Sequence, residues 1–147
     1  MTTPPAAPQL AAPLGTFRQQ LSATSRGARL ARLLTVRQLE LWGLPYDGET
    51  SEAAALVVAE LAANAVCHGR VAGRDFALCL TLGEGTLRIE VEDARGECVP
   101  VPRTDPAADS ETGRGLLLVE ALSTAWGTGS RNGPGKTVWA ELPAAVG

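Results

Sequence analysis

Between Glu52 and His68 the chain is built almost entirely from Ala, Leu and Val, apolar nearly all the way round a helix. A helix of that kind has to be buried, which forces the rest of the fold to cover it. Against this background Glu60, Asn64 and His68 stand at steps of four, so a carboxylate, an amide and an imidazole stack along one side. An acid and an amide on a largely buried helix cost on the order of 1–3 kcal/mol each unless something polar satisfies them. The plain alternative is a solvent-facing polar stripe, with His68 near a helix end that Gly69 caps. The stretch alone leaves both readings open.

The chain has 147 residues, enough for one domain with a core of its own. Its apolar fraction of 45% is globular, and an aromatic share of 4% makes that core one of Leu, Val and Ala. A net charge of −3 gives no reason to expect direct nucleic-acid binding or attraction to an anionic membrane. The charge is uneven: Arg18, Arg26, Arg29, Arg32 and Arg37 meet only Glu40 over residues 1–46. A basic helix face of this kind can dock an acidic protein, although a solvated face is the ordinary default. Cys67, Cys79 and Cys98 are odd in number and form no CxxC pair, and with a single histidine neither a disulfide frame nor a zinc cluster is expected. No apolar run reaches membrane-span length and no signal-peptide pattern opens the chain, so a cytoplasmic location is expected.

Along the chain, residues 1–13 read as a disordered Pro/Ala/Thr-rich tail and 14–147 as one domain. Leu14 to Leu21 predicts a short edge strand. Thr24 or Ser25 caps a helix in which Leu30, Leu34, Arg37 and Leu41 recur, ended by Gly43 and Pro45. Ser51 is expected to cap the second helix. Phe76, Leu78, Leu80 and Leu82 alternate with Ala77, Cys79 and Thr81, and beyond Gly83-Glu84-Gly85 the residues Leu87, Ile89 and Val91 alternate with Arg88, Glu90 and Glu92. This predicts an antiparallel hairpin. Residues 94–112, rich in Pro, Asp, Gly, Ser and Thr, have the length and composition of a lid. Gly115 to Ser123 predicts a third helix, and Ala125 to Thr128 with Lys136 to Leu142 a closing hairpin. The order β-α-α-β-β-lid-α-β-β gives an α+β two-layer sandwich, helices on one face of a mostly antiparallel sheet.

Asp93 shares parity with Leu87, Ile89 and Val91, so it points to the core side at a strand end, unless the strand stops at Glu92 and leaves it a turn residue. A buried carboxylate needs a donor; no Lys or Arg is fixed beside it by the sequence, and the exocyclic amino group of a bound base would serve. Gly113-Arg114-Gly115-Leu116 sits at the mouth of an apolar helix, where backbone N–H groups and the helix dipole favour a phosphate. Gly135-Lys136-Thr137 is no P-loop, because Val138 to Leu142 reads as a strand where a helix is required.

In this order, ExxxN on a helix, an aspartate closing a strand, a lid, GRGLxLV and a late Thr resemble the GHKL (Bergerat-fold) ATP-binding superfamily over roughly Ser51 to Leu142. The spelling ELAANAVCHG followed by GRGLLLV resembles its stand-alone anti-sigma-factor serine/threonine-protein kinases. The resemblance implies ATP and Mg2+ as cofactors. It implies Asn64 as Mg2+ ligand, Glu60 as general base, Asp93 as acceptor from the adenine amino group with Thr137 beside it, and His68 lining the pocket. Gly113, Arg114, Gly115 and Leu116 would wrap the phosphates. The family's DxGxG departs here to Asp93-Ala94-Arg95-Gly96, with Arg95 at the first glycine and Gly96 as its substitute. The implied partners are a small anti-sigma-antagonist protein, phosphorylated by the chain, and a sigma factor that it sequesters, with a homodimer compatible. The only histidine lies inside the motif itself, so a phosphoacceptor-histidine role is excluded within the chain. The chain ends five residues after its last expected strand, which argues for a free-standing domain acting on another protein. A nucleotide-dependent binding module with little transfer activity is the other reading.

Overall fold

Five strands hydrogen-bond in the order β1-β2-β3-β5-β4, every neighbouring pair antiparallel. They belong to a computed structural model that describes residues 13–67, 75–93, 111–130 and 136–144. The elements run β1 (Gly15–Ser22), α1 (Ser25–Leu41), α2 (Glu49–Cys67), β2 (Asp75–Gly83), β3 (Thr86–Asp93), α3 (Glu111–Leu122), β4 (Ala125–Ser130) and β5 (Lys136–Pro143). This is the expected α+β order. The tail, His68 and Gly69, and lid residues 94–110 with Gly96 lie outside the described residues.

β2 and β3 form the expected hairpin, closed by Glu84 and Gly85, and Gly85 takes φ 81, the left-handed conformation glycine adopts without strain. Alternation settles the faces. Leu78, Leu80, Leu82, Leu87, Ile89 and Val91 are buried on the inner side with Val138, Ala140 and Leu142 of β5. Ala54, Val57, Val58, Leu61, Ala62 and Ala65 of α2 join them in one cluster. The opposite sheet face is held by polar contacts. Arg88 donates from Nε to Glu90 at 2.7 Å and from an Nη to Glu141 at 2.9 Å, and lies 4.4 Å from the centroid of Trp139.

The structure defines the buried face of α1, and two local expectations need correction. On α1 the buried positions are Gly27, Ala31, Thr35 and Leu39, whereas Leu30 and Leu41 are exposed. Leu34 packs against the core from the margin, small residues let α1 pack closely, and the Thr35 hydroxyl is satisfied by donating to the Ala31 carbonyl at 2.8 Å. Thr24, by contrast, is the N-cap and accepts from the Gly27 N–H at 3.0 Å. Ser51 is no cap, because α2 begins at Glu49; it is buried and donates to the Leu44 carbonyl at 3.3 Å, tying the α1–α2 connection to the helix. α3 begins at Glu111, a turn earlier than expected. No helix among the described residues is long and apolar enough to cross a membrane.

The α1 assignment predicts opposite outcomes for two leucines of the same helix. Leu39, 0% exposed, is expected to lose about 2–5 kcal/mol on replacement by Ala. Leu41, 68% exposed, is expected to change stability by no more than about 0.5 kcal/mol. Urea unfolding of the two variants checks this, and equal losses would mean the helix is rotated from its assigned face.

Candidate functional site

α2 has 19 residues and so spans about 28 Å, the full depth of the sandwich. Its start is anchored at one end of the sheet: Thr50 donates from its hydroxyl to the Pro143 carbonyl at 3.2 Å, and Ala144 N–H donates to the Gly85 carbonyl in the β2–β3 turn at 3.0 Å. The second half of α2, with Glu60 and Asn64, therefore reaches the other end, where β3 finishes at Asp93 and β5 begins at Lys136. α3 runs the opposite way. Gly115 near its start touches Glu60, while Ala121 and Leu122 near its finish line a cavity with Glu49 and Thr50. One end of the molecule thus gathers the polar residues of α2, the first turn of α3, and the ends of β3 and β5.

Asn64 is only partly exposed and its Nδ2 is fully buried without a hydrogen-bond partner among the described residues. A buried amide nitrogen left so costs about 1–3 kcal/mol, which a ligand presenting oxygen acceptors would recover. Glu60, one turn earlier, is half-buried and lies directly against Gly115. A Cβ on Gly115 would overlap Glu60 Oε1 and sit 3.0 Å from its Cδ. Glycine at 115 leaves room for that close approach. It does not serve as an open N–H for phosphate, because α3 already starts at Glu111. The free N–H groups of the helix belong to its first three residues, 111–113, so Gly113 keeps a backbone donor there while Arg114, Gly115 and Leu116 are inside the helix. Leu116 is a core residue, 0% exposed.

Asp93 is inward-facing and buried, as its parity predicts. Its surroundings differ from expectation. Lys136 is its direct cross-strand partner and places Nζ 3.0 Å from Asp93 Oδ2, with both side chains more than nine-tenths buried. Thr137 pairs with Glu92 and is only partly buried. Opposed residues of an antiparallel pair share a face and successive residues alternate. Thr137 therefore faces the outer side of the sheet and is not beside Asp93; Lys136 occupies that position. The rejection of Gly135-Lys136-Thr137 as a P-loop agrees with the strand that starts at Lys136.

Two other polar groupings lie elsewhere. On the outer sheet face Arg18 bridges Cys79, at 2.9 Å from Sγ, and Glu92, at 3.0 Å. Burial pushes the Cys79 thiol above its ordinary range, aided by Glu92 and Glu90 and opposed by Arg18. Cys79, Glu90 and Glu92 hold their ligand atoms within 4.8 Å of one another, but Arg18 and Arg88 already supply cations to this cluster. Along the helical face, Arg29, Arg32 and Arg37 line a groove between α1 and α2 with Leu33 and Tyr46, as the basic stretch of the sequence suggests.

The histidine kinase-like ATPase domain family matches over residues 21–142, from the end of β1 to the end of β5. No match is found among curated proteins.

The Glu60–Gly115 contact generates its own test. Gly115→Ala is expected to destabilise the protein when Glu60 is present and to be much milder in a Glu60→Ala background, with a coupling of about 0.5–3 kcal/mol. Denaturant unfolding of the four proteins measures it. Strictly additive effects would show that the two residues do not touch.

Proposed function

The chain belongs to the histidine kinase-like ATPase domain family, and on that footing we propose that it is an ATP-binding regulator of the anti-sigma-factor type. In this reading it is a serine/threonine-protein kinase that phosphorylates a small antagonist protein and sequesters a sigma factor. The observation that carries nucleotide binding is the meeting, at one end of the sandwich, of a buried amide with no partner among the described residues, a helix N-terminus and an inward-facing carboxylate. These supply, in turn, a group for metal and phosphate, donors for phosphate oxygens, and an acceptor for a base. The kinase type and its partners rest on the resemblance of Glu60 to Gly69 and of Gly113 to Val119 to the stand-alone anti-sigma kinases.

The residues present fit a magnesium nucleotide. Asn64 would hold Mg2+ through its amide oxygen while its nitrogen, unpartnered among the described residues, donates to a phosphate oxygen. Bound there, the metal supplies neutralisation of phosphate charge. The N–H groups of residues 111–113 donate to the same phosphates. Asp93 accepts from the exocyclic amino group of the base. Glu60 accepts the proton of the attacking serine hydroxyl as the new O–P bond forms and ADP departs.

Saturating Mg·ATP is expected to raise the melting temperature, and Asn64→Ala to remove most of the Mg2+-dependent part of that rise. Glu60→Gln is expected to keep ATP binding and to lower transfer of γ-phosphate to a purified antagonist about 100-fold or more. A melting curve unmoved by Mg·ATP and Mg·ADP would overturn the nucleotide reading. Transfer by Glu60→Gln at the wild-type rate would make the carboxylate structural and favour a nucleotide-dependent binding module, to which the Arg95 departure also points.

A further inference from the structure

Lys136, the buried partner of Asp93, is the feature of the site that the reading above leaves unused. Resting on that nucleotide reading, we propose that Lys136 is a base-reading residue: with Asp93 it forms a donor–acceptor pair that accepts the edge of an oxopurine as well as that of adenine. Lys136 Nζ stands 3.0 Å from Asp93 Oδ2 at the last register position of β3 and the first of β5, on the inner face of the sheet. Both side chains are more than nine-tenths buried. An ion pair in such a place is weak evidence of stabilisation, since apolar residues of similar volume often do as well. Its chemistry is more informative. A carboxylate is an acceptor only, and an ammonium has three donors, so Lys136 can hold Asp93 and still donate to a ligand.

Adenine presents an amino donor at N6 beside a ring acceptor at N1. Hypoxanthine and guanine reverse the two, with an acceptor at O6 beside an N1–H donor. In the pose that places N6–H of adenine on it, a lone carboxylate opposes its lone pairs to O6 of an oxopurine and has no donor to offer that oxygen. With the ammonium next to it, each edge finds both partners: the carboxylate takes N6–H or N1–H, and the ammonium takes N1 or O6. The pair reads any purine edge that offers one donor beside one acceptor.

The test is equilibrium dialysis of the wild-type protein, with Mg2+, against ATP, ITP and purine riboside triphosphate, which has N1 but no exocyclic group. The pair predicts ITP within about tenfold of ATP, and both tighter than purine riboside triphosphate by about tenfold or more. A site read by Asp93 alone places ITP last, about 100-fold or more below ATP. A pair that merely closes the strand ends, with no contact to the base, gives three equal affinities. Either of those two orders overturns the proposal, whereas binding of no nucleotide at all overturns the nucleotide reading beneath it. Lys136→Met, provided that its far-ultraviolet spectrum and melting transition show it folded, is expected to lose ITP preferentially and widen the ATP:ITP ratio about tenfold or more. A folded Lys136→Met with an unchanged ratio also overturns the proposal, and the wild-type series decides the matter if the variant does not fold.

Discussion

The burial of α2 is the constraint on which the rest of this structure depends. Its Ala and Val residues are buried around most of the helix, leaving a stripe through Glu52, Leu56 and Ala63 to water, so it is covered by the sheet on one side and by α1 and α3 on others. Once that helix is fixed at one end by Thr50 and Pro143, its length alone determines where Glu60 and Asn64 come to lie. Small residues make the arrangement possible in two places. Ala31 brings α1 close, and Gly115 lets α3 approach until it meets the Glu60 carboxylate. The polar groups of the site are therefore held by packing of their carriers, the condition that keeps a binding geometry rigid.

The site also illustrates where such a fold departs from apolar economy. Asn64 keeps a buried donor without a partner among the described residues, and Asp93 and Lys136 put opposite charges on the inner face of the sheet. Each of these is neutral at best for stability. Their gathering at a single end, with the N-terminus of α3, is what the proposal of a nucleotide site at that end rests on. The outer face, although richer in charge, is closed on itself by Arg18 and Arg88 and shows no comparable opportunity.

Much of the fold is legible in sequence because it obeys short periods. The alternation from Phe76 to Asp93 gives the hairpin, its faces and the inward carboxylate, since a period of two leaves no freedom once one face is apolar. The apolar run of α2 and the spacing of Glu60 and Asn64 are legible for the same reason. What escapes is set by contacts between distant segments. The recurrence of Leu30, Leu34, Arg37 and Leu41 gives the helix but not its buried face, which is Gly27, Ala31, Thr35 and Leu39 and is set by packing against α2 and the sheet. Ser51 looks like a cap and instead bonds back to Leu44. Lys136 was visible only as the centre of a rejected P-loop, and its role with Asp93 depends on the β3–β5 register, which neither strand encodes by itself. That register also turns Thr137 away from Asp93. Counting parity backward from the buried Val138 and Ala140 would have found Lys136.

The central claim is that the end of the sandwich where α2 finishes, α3 starts, and β3 and β5 meet is the nucleotide site. A two-dimensional 1H–15N spectrum titrated with Mg2+ and a non-hydrolysable ATP analogue tests it most directly. The account predicts that the side-chain amide of Asn64 and the backbone amides of Asp93, Lys136 and Gly115 shift together and saturate at one concentration, while Thr50, Gly85 and Ala144 at the far end stay unmoved. Shifts confined to the far end, or to the arginine-lined groove between α1 and α2, would contradict it.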